Sequence, residues 1–300
     1  MKKCLAFVLG GGGARGAMQV GALRALFEAG LKPDLLVGTS IGAINATGLA
    51  LWGVDLAGVE ALEHAYQRVA DSGLMDPRLI QFVLNAISRR PNLRGSRFAR
   101  EFLIAEGINS EYRFRHFQNV RLALVSADLL TGEPIIYGWD PEQSVLEGVL
   151  ASMAIPPWFA PIETDDRYII DGGALSNLPI EPALRLGATE IIALDLHDRE
   201  ATFDTKGMLD PLLTNLAYAI THRQLGLEME LAAARHISVK YVNLKSSPAV
   251  QLWDFKSHRD LFKIGYETMK NEMSGWPQNN QPASPFLRLF TKKISSWISV

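Results

Sequence analysis

Gly38-Thr39-Ser40-Ile41-Gly42 has the G-x-S-x-G spacing of a serine raised on a sharp strand-to-helix turn. Its surroundings fit that geometry: the apolar run Leu35-Leu36-Val37 reads as a strand, and a helix of small residues is expected over about residues 43 to 51. Strand and helix backbones pass close together at such a turn. The positions two before and two after the serine must therefore be small, as Gly38 and Gly42 are. The Ser40 hydroxyl then lies beside a helix N-terminus, where free N–H groups and the helix dipole favour developing negative charge. That is the setting of an activated nucleophile. The bland reading is a glycine-rich turn with an N-cap serine, and the pentapeptide alone does not separate the two.

A second segment, Gly11-Gly12-Gly13-Ala14-Arg15-Gly16, lies between an apolar run at residues 4 to 9 and a helical pattern from about 14 to 28. Glycines there let backbone N–H groups converge on an anion. Gly11, Gly13 and Gly16 also satisfy the dinucleotide fingerprint G-x-G-x-x-G, whose acidic partner is expected about 20 residues on, at the end of the next strand. Asp34 is near that count but precedes the strand at 35 to 37, and the far end of that strand carries the Ser40 turn. An oxyanion hole fits better: N–H groups around Gly12 and Gly13 would hold the oxygen of a tetrahedral intermediate, one such donor being worth roughly 3 kcal/mol. Arg15 either fixes this loop, steers an anionic substrate, or simply begins a helix at the surface.

The third segment is Asp171-Gly172-Gly173, directly after Tyr168-Ile169-Ile170, which puts a carboxylate at a strand end. Asp-Gly alone marks no more than a turn. Ser40 needs a base, and of the six histidines His197, in Asp195-Leu196-His197-Asp198, is the best placed to form a triad with Asp171. Against that triad, the nucleophile of the α/β-hydrolase fold follows several strands, whereas Ser40 follows what reads as the second.

The elements that must carry these groups alternate strand and helix. Two strand-to-helix units within fifty residues imply βαβ construction and a parallel sheet flanked by helices. Residues 55 to 105 read as helical, broken at Gly73, Pro77, Pro91 and Gly95, with Arg89, Arg90, Arg94, Arg97 and Arg100 forming either a lipid-phosphate contact or a solvated helix face. Strands are expected at 120–125, 134–137, 168–170 and 190–194, with helices near 142–153 and 181–186. This divides the chain into an α/β catalytic domain at 4–245, a helical continuation at 246–275, and a polar linker with a basic amphipathic tail at 276–300.

Composition narrows the class. With 48% hydrophobic and 21% charged residues this is a folding chain, and 30 basic against 32 acidic side chains leave no field to attract nucleic acid. One cysteine excludes an internal disulfide, and no Cys/His spacing suits zinc, so no metal is expected and a cytoplasmic, reducing location is. The six apolar residues after Met1-Lys2-Lys3 fall short of an export core, and no run approaches a membrane span. In the tail, Phe286, Phe290, Ile294 and Trp297 fall on one helical side and Arg288, Lys292 and Ser299 on the other. Residues 285–300 are read either as a peripheral contact with the inner membrane surface or as a helix docked on the protein itself.

Taken together, the three motifs resemble the patatin-like phospholipase family, particularly bacterial members of about this length. The block Ala151-Ser152-Met153-Ala154-Ile155-Pro156, with Phe159 and Pro161, resembles the segment that precedes the family's aspartate, and the resemblance spans about residues 4 to 196. It implies a three-layer α/β/α fold with a mainly parallel central sheet. It further implies an oxyanion hole at Gly11, Gly12, Gly13, Ala14, Arg15 and Gly16, and a nucleophile elbow of Gly38, Thr39, Ile41 and Gly42 around Ser40. Asp171, followed by Gly172 and Gly173, would be the base of a Ser-Asp dyad without histidine. The implied reaction is hydrolysis of a lipid ester through an acyl-enzyme, with no cofactor and no obligate protein partner. Two rivals stay open: a nucleotide-binding protein using the glycine loop for pyrophosphate, and a Ser-His-Asp esterase. Pro156-Pro157-Trp158-Phe159 is read as lining an acyl channel or as core.

Overall fold

The computed structural model describes residues 3–72, 93–156, 159–164, 166–198 and 210–276. Its centre is a sheet in the order β5-β6-β3-β2-β1-β7-β8. The parallel core consists of β1 (Leu5–Leu9), β2 (Leu35–Thr39), β3 (Arg121–Asp128), β7 (Glu190–Asp195) and β8 (Ser238–Asn243). β4 (Glu133–Tyr137), β5 (Ile162–Glu163) and β6 (Tyr168–Asp171) join antiparallel at the β3 side.

The near-continuous apolar strands have two faces to bury, as parallel strands flanked by helices do. Phe7, Leu9, Leu36, Leu122, Leu124, Ile192 and Leu194 share one hydrophobic core with helices α1 (Gly16–Glu28), α2 (Ile41–Trp52), α3 (Leu56–Ser72) and α5 (Val145–Ser152). The alternating set Ala6, Val8, Leu35, Val37, Ala123, Val125, Ile191 and Ala193 enters a second core, against α6 (Ile180–Arg185) and α7 (Asp210–Ala234). Two cores on opposite faces make three layers, so the expected α/β/α architecture with a mainly parallel sheet is the observed one.

Helix α4 (Leu93–Ala105) sets Arg97 against Glu101 at 2.9 Å on an exposed face, and Arg100 is exposed too, which favours a solvated face over a lipid contact. Arg89 and Arg90 lie outside the described residues, as do Pro157, Trp158 and the tail from 277 onward. The continuation after residue 245 ends in α8 (His258–Ser274), which crosses α1 backbone to backbone: a Cβ on Gly265 would strike the Met18 carbonyl, and one on Gly21 the Phe262 carbonyl. Among the described residues no helix is long and apolar enough to cross a membrane.

Several boundaries shift for local reasons. The first helix begins at Gly16 rather than 14, because a tight 3-10 turn over Gly13–Arg15 intervenes, entered by Gly13 at φ 58°. β2 runs to Thr39 and α2 starts at Ile41, so Ser40 is the whole connection between them. Helix α5 starts at Val145, where the Ser144 side chain caps it by accepting the Glu147 N–H at 3.4 Å. The short β5, helix α7 and strand β8 complete the alternation.

Candidate active site

Strand β3 brings the serine and the aspartate together. Leu124 and Val125 pair with both β2 and β4, which must therefore occupy opposite edges of β3. Ser126, Ala127 and Asp128 pair with both β4 and β6, so β6 takes the same edge as β2. On that edge β2 ends at Thr39, opposite Val125, and antiparallel β6 ends at Asp171, opposite Ser126. Two strands running toward each other thus stop at successive residues of a third, which brings Ser40, just past the end of β2, up to Asp171, the last residue of β6.

Ser40 itself sits at φ 56° and ψ −123°, a region that costs a non-glycine residue roughly 1–3 kcal/mol. The surroundings over-determine it. A Cβ on Gly38 would collide with the Gly42 carbonyl, and one on Gly42 with the Leu9 carbonyl, so helix α2 is pressed onto the strand ends as the G-x-S-x-G reading requires. The Ser40 carbonyl accepts the Ala43 N–H at 2.9 Å and the Ile44 N–H at 3.2 Å, and its own N–H donates to Ser152 Oγ at 2.9 Å. Ser152 in turn donates to the Val125 carbonyl at 2.6 Å.

Asp171 is buried, 6% exposed. Its Oδ1 accepts the Gly173 N–H at 2.7 Å, and its backbone N–H donates to the Ala154 carbonyl at 2.9 Å. Oδ2 is buried without a hydrogen-bond partner in regular geometry. Burial pushes the carboxyl up to about 7, against the opposing pull of the Ser40 hydroxyl and the Gly173 N–H. The serine hydroxyl is thus close enough to Asp171 to favour its charged form.

The glycine loop closes over the pair: a Cβ on Gly11 would stand 3.2 Å from the Ser40 Cβ. Six residues were expected to form an oxyanion hole, and their N–H groups divide. Gly11 donates to the Asn177 carbonyl at 3.0 Å, Ala14 to the Leu252 carbonyl at 2.7 Å, and Gly16 to the Gly13 and Ala14 carbonyls. Among the described residues the N–H groups of Gly12 and Gly13 have no acceptor. Gly16 serves as a notch, its Cβ position filled by Ile41. Arg15 is not at the surface: it is 7% exposed, and its Nε donates to the Gly12 carbonyl at 3.2 Å, which fixes the loop. Burial pulls its guanidinium below the ordinary value, opposed by Asp198 and Asp195.

His197 belongs to a different cluster. It stacks on Tyr218 at 4.4 Å between centroids, its Nδ1 lies 3.2 Å from Thr221 Oγ1, and its Nε2 has no hydrogen-bond partner. Burial lowers its pKa, with Asp195 opposing and His222, Arg15 and Lys245 adding to the fall. Neither ring nitrogen bonds to Ser40 or Asp171. Among the described residues no group of three or more His, Cys, Asp or Glu could hold a metal ion.

Sequence reasoning assigned no role to several residues that build this site. Ser152 and Ala154 lie in the block at 151–156, where one supports Ser40 and the other Asp171. Asn177 holds Gly11 from both sides, accepting its N–H and donating Nδ2 to its carbonyl at 3.4 Å. Ser176 and Glu228 are buried behind the aspartate turn, and burial pushes the Glu228 carboxyl up to about 7. Ser152 and Ala154 stand within a block that resembles the family's; nothing local singles out Ser176, Asn177 or Glu228.

A family model described as patatin-like phospholipase matches residues 7–184. An uncharacterized NTE family protein of Mycobacterium tuberculosis is 31% identical over 254 residues, covering 83% of this chain and 41% of that protein. Patatin-like phospholipase domain-containing protein 6 of Homo sapiens is 25% identical over 305 residues, covering 92% and 21%. The chain thus spans well under half the length of these relatives. The solved structure of VipD from Legionella pneumophila aligns at 16% identity with a TM-score of 0.45, covering 91% of this chain and 67% of that one.

Proposed function

Because this chain belongs to the patatin-like phospholipase family, we propose that it hydrolyses lipid carboxylic esters with Ser40 as nucleophile and Asp171 as base. The observation that carries this reading is the meeting of the β2 and β6 ends on one edge of β3, with a buried carboxyl of pKa about 7 beside a strained serine. The Ser40 oxygen attacks the ester carbonyl while its proton passes to Asp171. The N–H groups of Gly12 and Gly13 hold the resulting oxyanion. Collapse of that intermediate breaks the ester C–O bond, and the leaving alkoxide takes the proton back from Asp171. Water then attacks the acyl-serine, giving its proton to Asp171, and the second collapse returns a proton to Ser40 and releases the fatty acid.

A carboxylate is ordinarily too weak a base for an alcohol. Burial without a counter-cation brings this one near neutrality, where a general base is most effective, and the loop donors carry the rest of the stabilisation. A lipid substrate also agrees with the β3–β4 turn, which lies at the same end of the sheet as Ser40 and exposes Leu129 by 50% and Leu130 by 68%.

A fluorophosphonate probe tests it. Labelling is expected in the wild type and lost in Ser40→Ala. Asp171→Asn should nearly abolish turnover and His197→Ala should not. A collapse in His197→Ala would restore the Ser-His-Asp triad, while saturable nucleotide binding without labelling would move the glycine loop to pyrophosphate.

A further inference from the structure

We infer that Glu228, on helix α7 and outside every motif, is a positioning residue for the Ser40 and Asp171 pair, acting through Ser176; the inference rests on the hydrolase reading above. Glu228 Oε1 accepts the Ser176 hydroxyl at 2.6 Å and Oε2 accepts the Glu181 N–H at 2.7 Å. Both residues are buried, Glu228 at 8% and Ser176 at 2% exposure. A charged-type side chain this deep is costly unless its oxygens are bonded, and here each oxygen has one short bond to the segment that follows Asp171.

Ser176 is the junction of that segment. Its N–H donates to the Gly172 carbonyl at 2.8 Å, closing the turn whose Gly173 N–H orients the Asp171 carboxyl. Its carbonyl accepts the Thr39 hydroxyl at 2.9 Å, and Thr39 is the residue before Ser40. The next residue, Asn177, holds Gly11. One turn earlier on the same face of α7, Gln224 Nε2 donates to the Ala174 carbonyl at 2.7 Å. The aspartate turn, the serine elbow and the glycine loop are thus all fastened to residues 172–177, and that segment is clamped to α7 by Gln224 and Glu228. Ser176 is bonded to the residue before Ser40 and to the residue after Asp171, so a small displacement of Ser176 changes whether proton transfer between the pair is in line. Misplacement of about 1 Å can cost on the order of 100-fold.

The test compares Glu228→Ala, Glu228→Gln, Ser176→Ala and the alanine double variant on a soluble short-chain nitrophenyl ester. Glu228→Ala should lower kcat by about tenfold or more with KM within about twofold, since the binding surface is untouched. Glu228→Gln should recover to within about threefold of the wild type, because its amide still offers an acceptor to Glu181 and a donor to the Ser176 oxygen. Ser176→Ala should lose about threefold or more, and the double variant no more than Glu228→Ala, as expected of one link. If Glu228→Ala does not fold, Ser176→Ala, a single hydroxyl deletion, carries the same test.

Hydrogen exchange read by mass spectrometry gives an answer that needs no activity. Glu228→Ala or Ser176→Ala should speed exchange in residues 172–178 and 38–42 while β1 and β7 stay protected. Unchanged kcat in folded Glu228→Ala, a Gln variant as slow as the Ala variant, or unchanged exchange at both segments would overturn the inference. Absence of fluorophosphonate labelling in the wild type counts against the hydrolase reading instead, and the exchange experiment then still decides whether Glu228 holds the segment.

Discussion

Asp171→Asn is expected to destroy activity and to make the protein more stable, by an amount that depends on pH in a defined way. The folded-state pKa of Asp171 is raised from 3.8 to about 7 because burial disfavours the charged form. A carboxyl shifted upward is the reverse of an ion-paired one. Below about pH 4 it is protonated in both the folded and the unfolded chain and has no effect on their balance. As pH rises to about 7 the unfolded chain releases the proton and the folded chain keeps it, so stability falls through that window and levels off above it. The rise from 3.8 to about 7 corresponds to about 4 kcal/mol. Asparagine has no such charge. It keeps an oxygen for the Gly173 N–H and turns its amide toward the position of Oδ2, which has no hydrogen-bond partner in regular geometry to lose. Thermal unfolding of variant and wild type in matched buffers from pH 4 to 8 should therefore show curves that coincide at the acid end and separate to roughly 6 °C at pH 8 for a chain of this size. A variant no more stable than wild type at pH 8, or a gap that does not vary with pH, would refute the claim that burial sets the basicity of Asp171.

Other consequences follow from the same geometry. The kcat/KM of the wild type should rise with pH through a single ionisation near 7 as Asp171 loses its proton, and Glu228→Gln should retain that inflection, which separates it from the second carboxyl raised to about 7. Ser152→Ala removes the bridge between the Val125 carbonyl and the Ser40 N–H, and should cost about 1–3 kcal/mol in urea unfolding along with most of the activity; a loss below about 0.5 kcal/mol would mean the elbow holds its own strain. Replacing Leu129 and Leu130 by serine should lower turnover of phospholipid in vesicles about tenfold while leaving soluble esters unaffected, and equal loss on both substrates would place these leucines in folding rather than at a lipid surface.

Much of the site was legible because its signals are local. A serine between two glycines needs those glycines for a backbone collision that any side chain would cause, and the collisions with the Gly42 and Leu9 carbonyls are present. The Asp-Gly-Gly turn follows its strand as read. Local rules leave undecided the groups whose role is set by distant partners. Arg15 is left between a loop-fixing, a substrate-steering and a surface role, and its burial beside the Gly12 carbonyl removes the surface one. The resemblance implies an oxyanion donor at Ala14 too, yet its N–H is taken by the Leu252 carbonyl from a segment more than 200 residues away. His197 is set aside by position in the sequence, and the fold supplies the physical reason: Thr221 and Tyr218 on α7 hold its ring elsewhere.

Periodicity and turn chemistry within short windows determined the α/β class, the parallel core and the candidate nucleophile and carboxyl, since these depend on neighbours a few residues apart. That β6 enters antiparallel on the edge of β3 that β2 leaves vacant is a matter of strand register, and register is chosen by the packing of whole faces, which no window of sequence contains. The same holds for the clamp on residues 172–177. Glu228 is ordinary in its own helix and acquires a role only where folding has buried it against Ser176 and the Glu181 N–H.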